Sequence, residues 1–183
     1  WHKILTKYSL PINEKFIISI RGLNFKSSKE LFYKYYQTEL EFKKIKDEKN
    51  QMVFDYIISH GIPVKEGLYE LLDFLKKNKI KIALATSSSR AVANKYLELA
   101  GIDSYFNAKV FGDEVSKGKP DPEIFLKALA KLQLTCDESI VLEDSKNGIN
   151  AALSAGIRPL WIPDGVYFET KAKRLKSLKE VIK

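Results

Sequence analysis

A threonine and three serines, residues 86–89, follow the apolar run at residues 80–85 and lead straight into a predicted helix. The free backbone N–H groups at a helix N-terminus, together with nearby hydroxyls, favour an anion such as phosphate. Thr86, Ser87 and Ser88 are therefore candidate phosphate ligands. The alternative is that Ser88 or Ser89 merely caps its helix.

Two adjacent carboxylates, Glu143 and Asp144, follow a second apolar run at residues 139–142. Two acids at the end of a buried strand are costly unless a cation pairs with them. Mg²⁺ prefers oxygen ligands and retains several waters, so a magnesium ion between these acids and a phosphate would satisfy both groups. The alternative is a solvated pair in which Asp144 caps the next helix.

A lysine before a proline, Lys119 in Lys-Pro-Asp-Pro, lies in the loop after a third short strand at residues 109–111. Because Pro120 restricts Lys119 to an extended backbone, the ammonium can be held in one direction and neutralise phosphate charge. The alternative is an exposed loop lysine. The loop is not a nucleotide P-loop, since five residues separate Gly112 from Gly118 and a proline replaces the required Ser or Thr.

The sequence lacks the residues that a zinc site or a serine hydrolase would require. Two histidines, His2 and His60, and one cysteine, Cys136, cannot build a zinc site of the usual spacing. No Gly-x-Ser-x-Gly sequence is present for a serine hydrolase.

The elements that position these groups change character near residues 61–63. Before that point the pattern predicts helices at residues 1–8, 13–20 and about 38–60, and one opened by Ser27 or Ser28. After it, helices alternate with short apolar runs, which predicts parallel strands joined by helical crossovers. The sequence thus predicts a helical bundle followed by an α/β core.

Composition excludes several classes of protein. With 45% hydrophobic and 30% charged residues, the 183-residue chain matches a globular protein and not a disordered or membrane-spanning one. Much of the net charge of +8 comes from residues 171–183, which carry six Lys or Arg against one Glu. We interpret this segment as a basic helix or tail, and we expect no nucleic-acid partner. One cysteine and no leader sequence favour the cytoplasm.

The order and spacing of the three polar groups resemble the haloacid dehalogenase superfamily, in its phosphatase and β-phosphoglucomutase-like subgroup. Thr86-Ser87-Ser88 is similar to its second motif, Lys119 before Pro-Asp-Pro to its third, and Glu143-Asp144 with the following Ser-Lys-Asn-Gly-Ile-Asn-Ala-Ala to its fourth. The resemblance covers nearly the whole chain. It implies an α/β fold, with a Rossmann-like parallel sheet core at residues 63–183 and an inserted α-helical bundle cap at residues 1–62.

The resemblance also implies roles for single residues. Thr86 and the Ser87 and Ser88 amides would hold the transferring phosphoryl group, and Lys119 would balance its charge. Glu143 and Asp144 would anchor Mg²⁺ directly or through water. In the cap, the implied substrate residues are Arg21, Asn24, Phe25 and Lys49. The mutase members carry an Arg shortly after the glycine of this cap loop, where this sequence has Phe25, and that departure argues against a mutase.

A second departure concerns the nucleophile. Members of the superfamily open with a strand ending in Asp-x-Asp-Gly, whose first Asp attacks the phosphoryl group and whose second acts as general acid and base. No such motif occurs in residues 1–183. We expect the sequence to be part of a longer protein in which that strand precedes the cap.

The expected function is a Mg²⁺-dependent phosphomonoester phosphatase that acts on a small phosphorylated metabolite, a sugar phosphate, through a phospho-aspartate. One alternative is a β-phosphoglucomutase-type phosphosugar mutase. An alternative of another class is a non-catalytic binding module, if the Asp motif is truly absent. We expect a small phosphorylated substrate, no membrane partner and a monomer.

Overall fold

The structure of the protein is a computed structural model that describes residues 1–182. Four helices come first: α1 (His2–Lys7), α2 (Glu14–Ser19), α3 (Phe25–Tyr36) and α4 (Phe42–His60). Then helices and strands alternate: α5 (Leu68–Lys77), β1 (Ala83–Ala85), α6 (Arg90–Leu99), β2 (Ala108–Val110), α7 (Glu123–Leu132), β3 (Ile140–Glu143), α8 (Lys146–Ser154), β4 (Arg158–Trp161) and β5 (Lys173–Arg174). Short 3₁₀ helices lie at Asp103–Tyr105 and Leu178–Ile182.

Local capping explains where the first helices begin and end. The Asn24 side chain accepts a hydrogen bond from the Ser27 backbone N–H and caps α3, so the prediction that Ser27 or Ser28 opens this helix is wrong. Gln37, with φ 44°, ends α3 in the left-handed region. The predicted helix from about residue 38 therefore starts only at Phe42.

The four helices α1–α4 bury an aromatic core of their own. Phe16, Phe32 and Phe42 are fully buried, and their rings contact one another and Trp1. This cluster explains the many aromatic residues of the first sixty positions, since aromatic rings supply large buried areas in a small bundle. From residue 62 onward the buried residues form separate clusters around the strands.

The strands pair in parallel, in two sheets. β1 pairs with β2, and β3 pairs with β4, which in turn pairs with β5. A helix joins β1 to β2 and another joins β3 to β4, as the alternating pattern predicts, whereas the segment between β4 and β5 contains no helix. The α/β class is confirmed. The basic segment 171–182 is not one helix, because it forms β5, turns and a 3₁₀ helix. Among residues 1–182, no helix combines the length and apolar character that crossing a membrane requires.

Candidate active site

A cavity of about 530 Å³ lies at the ends of β1 and β3, and residues of α4 also line it. It is lined by most of the residues that the sequence singled out: Phe25, Lys49, Thr86, Ser87, Ser88, Lys119, Glu143 and Asp144. The structure thus brings the three polar groups together in one place. β1 and β3 belong to different sheets, and Lys119 contacts a residue at the end of each strand.

Two hydrogen bonds hold the turn after β1 at the cavity. The Ser88 amide donates to the Thr86 hydroxyl oxygen at 3.2 Å, and the Ser87 hydroxyl donates to the Gly22 carbonyl at 2.6 Å. Neither Ser88 nor Ser89 caps α6 with its side chain. The alternative of a merely capping serine is therefore wrong.

The cap of α6 comes instead from Asp113, which the sequence analysis missed. Its carboxylate accepts from the Arg90 backbone N–H at 3.1 and 3.2 Å. The neighbouring Gly112 also fixes this turn, because its N–H donates to the Ser88 carbonyl at 2.8 Å. A Cβ at Gly112 would lie 2.2 Å from the Ser87 carbonyl oxygen, so only glycine allows this approach.

Lys119 is buried, with 4% of its surface exposed, so the alternative of an exposed loop lysine is wrong. Its ammonium donates to the Ala85 carbonyl at 3.3 Å and forms an ion pair with the Glu143 carboxylate. It also lies 4.8 Å from the centre of the Phe125 ring. The side chain therefore reaches from its loop to the ends of both β1 and β3.

Glu143 and Asp144 have different environments although they are adjacent. One Glu143 oxygen accepts from the Asp144 and Ser145 amides and from the Ser145 hydroxyl, at 3.0–3.2 Å, and the other pairs with Lys119. Ser145, not Asp144, caps α8 through the Gly148 N–H, so the capping alternative for Asp144 is wrong. Burial, and then the charge of Glu143, raises the pKa of Asp144.

These two acids offer oxygen ligands of the kind that Mg²⁺ prefers. In the part of the chain that the structure describes, no group of three or more Asp, Glu, His or Cys side chains is placed to hold a metal. Burial disfavours the ionised form of the Asp144 carboxylate, and a bound cation would offset this cost. Asp144 is therefore suited to bind Mg²⁺ directly. Glu143, whose oxygens are already bonded, suits contact through water. The pair fits Mg²⁺ on these terms.

Two residues of the predicted cap set, Arg21 and Asn24, do not line the cavity. Arg21 donates to Asp164 at 3.0 Å and to Asp144 at 3.4 Å. Asn24 is 3% exposed and packs against Gly118, where an added Cβ would lie 2.6–2.8 Å from its amide group. Both residues thus join the cap helices to the α/β part, and their contact with a substrate stays a prediction.

The cavity also contains a residue that the sequence analysis did not single out, Lys46 of α4. The feature of the sequence that could have pointed to Lys46 is its position three residues before Lys49, which places both lysines on one face of a helix. In a chain with 31 Lys and Arg, that spacing alone did not distinguish it.

Several known proteins are similar to this chain. The sequence model of a family described as haloacid dehalogenase-like hydrolase matches residues 1–162. A phosphorylated carbohydrates phosphatase of Thermotoga maritima is 37% identical over 152 residues, which make up 83% of this chain and 64% of that protein. A β-phosphoglucomutase of Bacillus subtilis is 32% identical over 90% of this chain and 75% of its own length.

Solved structures agree with the sequence matches. A β-phosphoglucomutase from Clostridium difficile superposes with a TM-score of 0.82 at 26% identity, covering 99% of this chain and 83% of that one. The chain spans less than two thirds of the length of the Thermotoga phosphatase. With the family match over most of its length and with its three polar motifs gathered at one cavity, the chain belongs to the haloacid dehalogenase-like hydrolases.

Proposed function

We propose that the protein is a Mg²⁺-dependent phosphomonoester phosphatase that acts on a small sugar phosphate. One observation carries the proposal: Thr86, Lys119, Glu143 and Asp144, from three separate segments of the sequence, line the same cavity. Phosphoryl transfer depends mainly on positioning and on neutralising negative charge, and this set offers a hydroxyl, a buried cation and a carboxylate pair for a metal.

Each residue has a role that follows from its surroundings. The Thr86 hydroxyl and the backbone amides of the turn after β1 donate to the phosphoryl oxygens. The Lys119 ammonium, held by Ala85 and Glu143, offsets the charge of the same group. A magnesium ion bound by Asp144, and by Glu143 through water, would supply further neutralisation of the phosphoryl charge. Closure of α1–α4 over the cavity would exclude bulk water.

The nucleophile in this proposal is an aspartate outside residues 1–183. The attacking carboxylate oxygen forms a bond to phosphorus, the bond from phosphorus to the sugar oxygen breaks, and that oxygen takes a proton from the second Asp of the Asp-x-Asp motif. Water then cleaves the acyl phosphate and releases inorganic phosphate. The proposal therefore requires that the natural polypeptide carries an Asp-x-Asp-Gly strand.

The test begins with the intact mass and N-terminal sequence of the natural protein, followed by release of inorganic phosphate from a panel of sugar phosphates with and without Mg²⁺. We expect Mg²⁺-dependent release, reduced about 100-fold or more by Thr86→Ala because a positioned donor is lost. Lys44→Met, which changes an exposed lysine of α4, should leave the rate unchanged. A natural protein without the aspartate motif would overturn the proposal and favour the binding-module alternative. A protein that has the motif but releases no phosphate from any sugar phosphate would also overturn it.

A phosphosugar mutase is the second candidate, favoured by the match to the Bacillus subtilis β-phosphoglucomutase. It would use the same first step and return the phosphoryl group to a sugar hydroxyl. The two candidates differ in their products, since a mutase interconverts hexose 1-phosphate and hexose 6-phosphate with little release of phosphate. Phe25 lies against Phe42 at 5.5 Å between ring centres and supplies no charge to the cavity.

A further inference from the structure

The turn at residues 86–89 ends where α6 begins, so its position depends on how the start of this helix is held. The side chain of the N-cap residue, Ser89, makes no capping hydrogen bond. Instead, both carboxylate oxygens of Asp113 accept from the Arg90 backbone N–H, at 3.2 and 3.1 Å. A carboxylate is stabilising at this end of a helix, because the first N–H groups have no partner within the helix and the helix dipole is positive there. The loop after β2 therefore holds the first turn of α6.

Two further hydrogen bonds connect the same two segments. The Thr86 N–H donates to the Val110 carbonyl at 3.0 Å, and the Gly112 N–H donates to the Ser88 carbonyl at 2.8 Å. Both are bonds between backbone groups, whereas the bond to Asp113 is accepted by a side chain. A substitution at Asp113 can therefore remove its bond and leave the two backbone bonds in place.

The Asp113 carboxylate has no cation of its own. Within residues 1–182, no Lys, Arg or His nitrogen lies within 4.0 Å of it. The neighbouring Arg90 guanidinium pairs instead with Glu114 at 2.9 Å and lies 4.4 Å from the centre of the Phe111 ring. The bond from the Arg90 N–H to Asp113 does not depend on an ion pair, so an uncharged acceptor of the same shape, asparagine, can replace the aspartate.

Asp113 does not line the cavity, whereas all four residues of the turn at 86–89 do. It also occupies the first backbone donor of α6, so the Arg90 N–H is not available to an anion at this helix end. The donors that remain must be placed precisely, since a misplacement of about 1 Å can cost roughly 100-fold in rate. A residue that fixes the turn thus affects the bound phosphoryl group without touching it.

We propose that Asp113 is a positioning residue for phosphoryl transfer: its hydrogen bond to the Arg90 N–H holds the Thr86 hydroxyl and the turn that follows where the phosphoryl group binds. The inference rests on the proposed phosphatase function for the identity of the bound group. Its effect on binding can be measured without turnover.

The experiment measures the dissociation constant of inorganic phosphate in Mg²⁺ buffer by isothermal titration calorimetry, with the natural-length protein. We expect phosphate to bind about tenfold more weakly to Asp113→Ala, because the donors of the turn are no longer held in place. Asp113→Asn should retain most of the affinity, since asparagine accepts the same hydrogen bond. Asn13→Ala is the matched control, because it removes the side-chain cap of α2, whose residues do not line the cavity, and it should bind phosphate as the wild type does.

A second pair of variants tests the same hydrogen bond from its donor side. Arg90→Pro removes the N–H at the first helical position, where proline is well tolerated, and Ser89 already has the extended backbone that a following proline requires. Arg90→Ala keeps the N–H and removes the side-chain contacts with Glu114 and Phe111. We expect Arg90→Pro to weaken phosphate binding about as much as Asp113→Ala, with no further loss in the double variant, and Arg90→Ala to have a smaller effect. This pair decides the question if Asp113→Ala does not fold.

The outcomes separate the positioning role from the phosphatase proposal. The positioning role is overturned if Asp113→Ala binds phosphate as tightly as the wild type, or if Asp113→Asn or Asn13→Ala loses as much affinity as Asp113→Ala. It is also overturned if Arg90→Ala loses as much as Arg90→Pro. Failure of the phosphatase proposal alone is seen in the release assay, when the wild type binds phosphate but releases none from sugar phosphates. A wild type that binds no phosphate contradicts both.

Discussion

A glycine determines how the buried carboxylate Glu143 can sit at the end of β3. Gly148 lies in the first turns of α8 and is buried. A Cβ at this position would lie 2.0–2.2 Å from the Glu143 carboxylate atoms, far inside van der Waals contact. The backbone of α8 therefore approaches Glu143, the acid that pairs with Lys119, so closely that only glycine fits at position 148.

Gly148→Ala should destabilise the protein. In an ordinary helix interior this change is favourable by about 0.5–1 kcal/mol, because alanine loses less backbone entropy. Here the added methyl group must displace Glu143, and overpacking of this kind costs about 1–3 kcal/mol. The free energy of unfolding in urea measures the difference. Asn150→Ala, at an exposed position of the same helix, is the matched control and should change it by less than about 0.5 kcal/mol. A Gly148→Ala protein more stable than the wild type would contradict the prediction.

The strand-end residues could be predicted from sequence because each follows an apolar run, and parallel strands bring their carboxyl ends together. Thr86, Lys119 and Asp144 were found in this way. Asp113 and Lys46 could not be found in the same way, since their roles depend on distances between elements. Asp113 caps a helix that begins more than twenty residues earlier, and Lys46 matters only because α4 faces the cavity.

At the scale of elements, α8 holds the cap loop against the α/β part. The Asn147 side chain donates to the Ser19 carbonyl at 3.2 Å and to the Arg21 carbonyl at 2.8 Å. Gly22 lies beside Ser145, whose hydroxyl would be 2.4 Å from an added Cβ. Two hydrogen bonds from one side chain therefore help to hold the segment between α2 and α3, together with the Ser87 bond to Gly22 and the ion pairs of Arg21.

Asn147→Ala should make the segment between α2 and α3 open more often. Each hydrogen bond contributes about 1 kcal/mol, so losing both raises the open population roughly tenfold or more. Trypsin cleaves after Arg21 only when this segment opens, and the rate of cleavage there measures the population. Asn150→Ala controls for changes elsewhere in α8. Equal cleavage rates in Asn147→Ala and the wild type would show that the two bonds do not hold the loop.

The positions of the elements were predicted more accurately than their ends. The predicted helix from about residue 38 begins at Phe42 because the Thr38 hydroxyl accepts from the Leu40 N–H, and the Tyr33 hydroxyl occupies the Leu40 carbonyl. The side chains thus satisfy backbone groups that a continuous helix would have used. Such tertiary contacts are not visible in a pattern of apolar residues.

At the scale of the whole molecule, a side chain connects the two sheets. The described strands β1 and β3 belong to different sheets, and Lys119 donates both to the Ala85 carbonyl at the end of β1 and to Glu143 at the end of β3. The sequence predicted this lysine as a phosphate ligand. It could not predict the connecting role, which depends on how the sheets are placed.

Lys119→Met should therefore lower the stability of the whole protein. The side chains of Lys119 and Glu143 are only 5% and 9% exposed, so removing the cation leaves a buried carboxylate without its partner. Loss of one partner of a buried ion pair costs about 3–5 kcal/mol. We expect a value near the lower end, because three other groups still donate hydrogen bonds to the Glu143 carboxylate. Urea unfolding in EDTA measures it without bound metal.

The double variant Lys119→Met with Glu143→Gln distinguishes a lost ion pair from lost packing. Because glutamine carries no charge, the double variant should be more stable than Lys119→Met alone. Lys127→Met removes the partner of Glu123 in a pair whose side chains are 44% and 22% exposed, and it should cost less than about 1 kcal/mol. If Lys119→Met costs no more than Lys127→Met, the ion pair does not hold the sheets together. If the double variant is the least stable of the three, packing of the lysine stem and not its charge connects them.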